Sequence, residues 1–363
     1  MKILDIASLK VLEELTNSSS IAGNELETRD VMRNYLRNLT DKIYTDKMGN
    51  LICEKNGDQL LPKVGLACHM DEVGFIITEI NAEGYIFFHN IGRIWEPTII
   101  SQKMNIITRS GKKVVGVVGS IPPHIMTEQQ RNNPVTINQM FIDVGCSSMF
   151  EVMALGVNVG DAILPINNFS LIGNENMIMA KSLDNRVGCA VLIDIMKELN
   201  TTTHPNLVCG IATVQEEVGR RGAIVAAKIV KPDIAIVVDT GVPGDTPGIV
   251  GRNITTRLGN GPQILLLDSS HIVNRNLFDF VIETAKLNDI PYQVDIMPWG
   301  GTDAGSINTA NEGIPTISIL VPTRYIHTPN SIISIEDYNN TVRLITNIIK
   351  RMDLRSFESI IKY

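Results

Sequence analysis

Residues 207–222, LVCGIATVQEEVGRRG, run an apolar stretch straight into two adjacent carboxylates and then a basic turn flanked by glycine. Leu207–Val214 has the length and β-branched content of a buried strand. Glu216 and Glu217 therefore stand at a strand's carboxyl end, the edge of an open α/β sheet where loops leave a crevice and ligands bind. The same pair could simply open the next helix, where free N–H groups and the helix dipole favour acidic side chains. The rest of the chain has to separate the two readings.

Residues 1–72 read as helix, helix, strand, strand: Ile3–Leu15 and Leu26–Leu39 carry helical spacing, Asn50–Glu54 is a short strand, and Val64–Cys68 is a buried one. From Gly74 to about Ile166 the texture changes to short β-type runs (GFIITEI, YIFFH, KKVVGVVGSI, MFIDV) separated by turn signals, with one short helix near Ser147–Leu155. Strand and helix then alternate again. The helices are Asp184–Leu199, Ala223–Val230, Asn276–Leu287 and Ile335–Met352; the strands are Leu207–Val214, Ile234–Val238, Ile264–Leu267, Tyr292–Met297 and Thr316–Val321. This order predicts an α/β/α sandwich on a mixed, largely parallel sheet, residues 1–73 and 167–363, interrupted by a smaller β-rich, barrel-like insertion over residues 74–166.

Potential metal ligands recur at the ends of those strands. His69 leaves Val64–Cys68 with Asp71 two positions on, placed to orient the imidazole through its other ring nitrogen. Asp184 opens a helix, where capping alone would also account for it. Asp239 closes the unbroken apolar run Ile234–Val238, so its carboxylate must meet a cation, a metal or a donor such as the following turn. His327 follows the Thr316–Val321 strand; taken alone, it is a loop residue. Together, two histidines and three carboxylates, one of them bridging, supply three protein ligands to each of two divalent ions. Nitrogen and oxygen donors without thiolate suit zinc, cobalt or manganese. Neighbouring side chains diverge on a strand, so Glu216 and Glu217 can both serve the site only beyond the strand's end, one as ligand and one as general base. Gly301 and Asp303, in the glycine-rich loop Gly300–Gly305, are candidates for shaping a substrate pocket, although a plain turn is the simpler account.

A formal net charge of −7 argues against nucleic acid or an anionic membrane as the main partner. Five cysteines without a CxxC pair read as thiols of a reducing compartment, the amphipathic start is not a signal peptide, and no run reaches membrane-spanning length; the cytoplasm is the expected location.

Six ordered motifs carry a family resemblance: His69-Met70-Asp71-Glu72-Val73-Gly74-Phe75, Ser182-Leu183-Asp184-Asn185-Arg186-Val187-Gly188, Gln215-Glu216-Glu217-Val218-Gly219, Val238-Asp239-Thr240, Gly300-Gly301-Thr302-Asp303-Ala304-Gly305 and Arg324-Tyr325-Ile326-His327-Thr328-Pro329. They resemble the M42 family of two-metal glutamyl and deblocking aminopeptidases, some members of which are labelled endoglucanase. The resemblance implies Asp184 as the carboxylate bridging both ions, His69 and Asp239 completing one, Glu217 and His327 the other, with Glu216 as general base and Asp71 orienting His69. It also implies a cis Asp184–Asn185 bond, peptide substrates, and an insertion that pairs subunits into hollow tetrahedral dodecamers. Two departures, Arg220 where a neutral residue is usual and Asn330-Ser331-Ile332 where an acidic one is common, bear on substrate preference rather than on the ligands. A related carboxypeptidase or N-deacylase would share every ligand, and a non-catalytic scaffold is a further alternative. A glycosidase needs carboxylates on opposite sides of one bond, which an adjacent pair does not offer.

Overall fold

The computed structural model describes residues 6–166, 168–173, 175–249 and 255–362. Four strands form the centre of an 11-stranded sheet, in the order Leu207–Thr213, Lys63–His69, Ile234–Gly241 and Thr316–Arg324, and all three pairings between them are parallel. Antiparallel strands flank this centre: Leu51–Lys55 and Lys42–Thr45 on one side, Ser331–Ser334, Met177–Ala180 and Ser170–Ile172 on the other. Gln263–Asp268 branches from Thr316–Arg324 antiparallel and pairs in parallel with Gln293–Met297. The sheet is thus mixed, with parallel pairing confined to its centre and that outer pair.

The two-residue period of the central strands distributes their side chains to two cores. Val64, Leu66, Cys68, Ile236 and Val238 face a cluster built with Ile6–Asn17, Leu183–Leu199 and Ile335–Arg351. Ala67, Cys209, Ile211, Ala235 and Val237 face the opposite layer, Arg221–Val230 and Asp303–Asn308. Small residues on that side, such as Ala223, Ala226 and Ala227, let the helix approach the sheet closely. Covering both faces explains why these strands read as unbroken apolar runs.

The insertion closes into a six-stranded antiparallel barrel: Gly74–Ile80, Ile86–Ile91, Phe141–Asp143, Lys113–Gly119, Lys103–Ile107 and Ala162–Pro165, in that spatial order. Alternation is plain in Lys113–Gly119, where Val114 and Val118 point inward and Val115 and Val117 outward. Phe75 and Phe88 meet edge to face inside, their ring centroids 4.9 Å apart. The short helix is Met149–Ala154.

The expected helices and strands of the α/β layer are present with ends moved by a few residues; Ile3–Asp5 of the first helix lie outside the described residues. Unanticipated are the strands Lys42–Thr45, Ser170–Ile172, Met177–Ala180 and Ser331–Ser334, too short to show a period, and the helices Asp303–Asn308 and Leu354–Ile360. The Asp184–Asn185 bond is cis, and both residues lie outside helical geometry at the start of Leu183–Leu199.

One buried charge cluster ties the N-terminal helix to the sheet's working edge. Glu72 accepts from Lys181 Nζ at 2.8 Å and from Arg186 Nη2 at 3.0 Å. Arg186, fully buried, also donates to the carbonyls of Leu15 and Ser20. Burial, opposed by the Glu72 carboxylate, holds the Lys181 ammonium below the ordinary lysine range. Removing Glu72 leaves two buried cations unpaired, so Glu72→Ala is expected to lower stability by roughly 3–5 kcal/mol, read as a shifted urea midpoint at unchanged slope.

Candidate active site

The four parallel strands end at one edge, and each delivers polar residues there. Lys63–His69 ends on His69 itself, Ile234–Gly241 carries Asp239 near its end, and His327 follows Thr316–Arg324. The strand Leu207–Thr213 stops before the acidic pair, and Gln215 turns the chain with a positive φ of 56°. Three consecutive amides in that turn are held by carboxylates: Gln215 N–H donates to Glu25 Oε1 at 3.1 Å, Glu216 N–H to Asp71 Oδ1 at 3.0 Å and Glu217 N–H to Asp71 Oδ2 at 3.1 Å. Glu216 and Glu217 thus leave the strand's alternation and both line one cavity of about 450 Å³, with His69, Asp184, Asp239 and His327.

Within it the structure brings together two sets of side chains that share one carboxylate. His69 Nε2 lies 3.2 Å from Asp184 Oδ1 and 3.6 Å from Asp239 Oδ1. His327 Nε2 lies 3.3 Å from Asp184 Oδ2 and 3.2 Å from Glu217 Oε1. Both sets have the donors and spacing to hold a metal ion. Glu217 Oε1 is buried and, among the described residues, has no hydrogen-bond partner although His327 is so near. Two groups that approach without hydrogen-bond alignment are disposed as ligands facing a common cation would be, and an unpaired buried carboxylate oxygen is otherwise costly.

His69 is oriented through Nδ1, which lies 3.0 Å from the backbone carbonyl of Asp71; the Asp71 carboxylate is farther, at 3.7 Å. A hydrogen bond to that carbonyl puts the proton on Nδ1 and turns Nε2 to the cluster. Asp71 therefore serves His69 mainly through its main chain, while its carboxylate secures the Glu216–Glu217 turn. Asn185 pins the other side, donating to Val238 O at 2.8 Å and accepting from Gly188 N–H at 3.0 Å.

The electrostatics are those of an acid cluster that needs positive charge. Burial raises Glu216 well above the usual carboxylate range, with Asp303, Asp239 and Glu217 adding to the effect against His69. Burial also raises Glu217 and Asp239. Burial alone would depress His327, yet the carboxylates of Glu217 and Asp184 push it up to about 11. Asp184 is lowered because the two imidazoles outweigh its burial.

Of the two pocket candidates, Gly301 lines the cavity. Asp303 does not: it is buried beneath it, accepts from Thr213 Oγ1 at 2.5 Å, and burial pushes it up to about 7. Sequence reasoning did not single out Arg93, contributed by the barrel, nor Met297, Trp299 and Thr302, which also line the cavity. Arg93 carries no local signal; only the docking of the barrel brings it there.

The sequence model of the M42 glutamyl aminopeptidase family matches residues 49–344, and the chain belongs to that family and is a peptide hydrolase. It is 32% identical to the glutamyl aminopeptidase of Lactococcus lactis subsp. cremoris (strain MG1363) over 97% of this chain and 98% of the relative. It is 30% identical to the lysyl aminopeptidase of Pyrococcus furiosus (strain ATCC 43587 / DSM 3638 / JCM 8422 / Vc1), over 96% and 98% of the two chains. Among solved structures, the TET aminopeptidase of the marine sediment archaeon Thaumarchaeota archaeon SCGC AB-539-E09 superposes with a TM-score of 0.95 at 38% identity, covering 98% of this chain and 99% of that one.

An imidazole charged by surrounding carboxylates must give up its proton before its nitrogen can bind a metal. Against burial, the carboxylates of Glu217 and Asp184 push His327 up to about 11, so an ion entering that donor set near pH 7 would have to displace a proton. Adding zinc to the apoprotein in weak buffer at pH 7 is expected to release protons, and affinity should fall as pH is lowered. Calorimetry in buffers of different ionisation enthalpy checks this; uptake with no proton release would contradict the electrostatics described.

Proposed function

We propose that this protein is a binuclear metal-dependent aminopeptidase that removes residues from the N-termini of peptides. The observation that carries the reading is the pair of donor sets, His69–Asp184–Asp239 and Asp184–Glu217–His327, joined by one carboxylate at the floor of an open cavity. Two divalent ions are assigned to them, zinc or cobalt, with manganese the third choice on donor chemistry. Bound there, such ions supply Lewis acidity toward the peptide carbonyl and an acidified water.

The chain's own residues do the rest. Glu216 belongs to neither donor set but lines the same cavity, which suits it to take a proton from the attacking water and pass it to the departing amine. Its raised affinity for a proton in the metal-free site fits an acid–base group whose value neighbouring cations would bring down. Asp71 keeps Glu216 and Glu217 at fixed mutual positions through their amides. Membership in a family of aminopeptidases favours an N-terminal substrate end over the carboxypeptidase or deacylase alternatives.

The assembly is read as a homo-oligomer built through the barrel, in the dodecameric arrangement that the family resemblance implies. On the insertion, Phe150 is 80% exposed and Ile125 74%, apolar surface that subunit contact would cover. Five free cysteines, four of them buried, support a reducing compartment such as the cytoplasm.

Metal-loaded protein is expected to cleave aminoacyl p-nitroanilides bearing a free amine and to leave N-acetylated or C-terminal substrates intact; the reverse pattern would transfer the site to one of the alternatives. Glu216→Gln should bind metal as the parent does, by elemental analysis, and lose roughly 10²–10⁴-fold in kcat. Near-parental turnover in that metal-loaded variant removes Glu216 from the proton-transfer role.

A further inference from the structure

Among the residues lining the cavity, Arg93 alone comes from the barrel, and the proposed chemistry leaves it unused. Its backbone is held on both sides. Gly92 before it, at φ 78°, lies so close to the site that a Cβ there would fall 2.8 Å from Val73 Cγ1 and 3.3 Å from Glu217 Cβ. Ile94 after it is buried in the barrel's core, and Trp95 N–H donates to the His327 carbonyl at 3.4 Å. Rooted between those contacts, Arg93 stands on the Glu217–His327 side of the cavity.

Its guanidinium is uncommitted. Among the described residues the Arg93 side chain makes no hydrogen bond, ion pair or ring contact. The cavity's other arginine, Arg220, is tied down, donating through Nη1 to Ser270 Oγ and to the Thr302 carbonyl at 3.4 Å. Depth orders the groups as well. The His69 side chain is 2% exposed and that of His327 29%, and Arg93 is an exposed residue. The first donor set therefore lies at the floor, the second nearer the opening, and Arg93 at the rim.

An aminopeptidase takes the free N-terminal residue into such a cavity, and the rest of the peptide has to leave through the opening. Successive residues of that outgoing chain advance by roughly 3.5 Å each, so the carboxylate ending a di- or tripeptide lies one or two such steps beyond the bond being cut. An arginine rooted beside Glu217 and His327 is placed to meet it, and the planar guanidinium matches a carboxylate through two parallel hydrogen bonds. We infer that Arg93 is a specificity-determining residue that binds the terminal carboxylate of a short peptide on its leaving side, so that the enzyme favours di- and tripeptides with a free C-terminus over longer or C-terminally amidated ones. The inference rests on the aminopeptidase reading and adds to it a selection by length and end charge. A longer chain carries its carboxylate past the guanidinium, and an amide offers no charge to pair. Which N-terminal residue is preferred is a separate matter, settled on the other side of the bond.

The experiment uses peptides beginning with X, the residue whose p-nitroanilide the metal-loaded parent cleaves fastest. Steady-state kcat and KM are measured for X-Gly, X-Gly-Gly and the pentapeptide ending in four glycines, and for the C-terminal amides of the first two, on metal-loaded parent, Arg93→Gln and Arg93→Lys. The parent is expected to favour each free acid over its amide by roughly 10–100-fold in kcat/KM, chiefly through KM, and the two short acids over the pentapeptide. Arg93→Gln should bring the acid-to-amide ratio close to one, with Arg93→Lys keeping part of it. A parent that cleaves amide or pentapeptide as well as the short acids, or an Arg93→Gln variant of normal metal content whose ratio is unchanged, overturns the assignment and leaves the aminopeptidase reading intact. Failure of the metal-loaded parent on every free-amine p-nitroanilide and peptide would instead defeat the reading beneath it, and this assignment with it.

Discussion

Asp71 commits both carboxylate oxygens to the amides of Glu216 and Glu217, and the arrangement of the site follows from that pairing. A strand alternates its side chains, so two consecutive glutamates could not share a cavity while the backbone stayed extended. The chain must leave the sheet immediately after Thr213, and amides released from the ladder need acceptors when they lie under a closed surface. Asp71 and Glu25 provide them. The residue that presents His69's supporting carbonyl is thus also the one that aims both glutamates, which couples the ends of two neighbouring strands.

Gathering this many acids at one edge is electrostatically unfavourable in the absence of cations, and the protein answers on two levels. At the surface of the cavity, His69 and His327 lie between the carboxylates, and their raised proton affinity shows how strongly the cluster draws positive charge. Behind it, the carboxylate of Glu72, the residue next to Asp71, is met by the buried basic groups of Lys181 and Arg186. The two arrangements differ in purpose. The interior pairs close on themselves, whereas the cavity leaves a carboxylate oxygen of Glu217 unmatched.

Much of this was legible in the chain because burial on two faces leaves a plain mark. The runs ending at Cys68, Val214, Val238 and Val321 read as strands, and the polar residues that follow them read together as candidates for one sheet edge. What stayed hidden depended on three-dimensional docking or on segments too short for periodicity. Met177–Ala180 and Ser331–Ser334 are four-residue strands whose pairing comes from distant partners. The glycine-rich stretch before Asp303 looked like a turn, yet Thr302 caps a helix there by accepting from Ala304 N–H at 3.2 Å, and Asp303 points to Thr213 rather than outward. The pairing of His69 with Asp71 was visible as a spacing, but spacing does not distinguish a carbonyl from the carboxylate on the same residue.

The barrel's place in the sequence has a mechanical consequence. It leaves the sheet directly after the His69–Asp71 segment and returns before Asp184, so both of its connections run past the donor sets. Gly92, φ 78°, sits where a Cβ would come within 2.8 Å of Val73 Cγ1 and 3.3 Å of Glu217 Cβ. Trp95 N–H donates to the His327 carbonyl at 3.4 Å, and Arg93 reaches the cavity between these two points. The loop between the barrel's first strands and its third is therefore packed against two of the five residues of the donor sets. Close packing transmits displacement rather than absorbing it. How the barrel is seated is consequently part of the geometry around Glu217 and His327, and a subunit contact that fixes the barrel also fixes one side of the site.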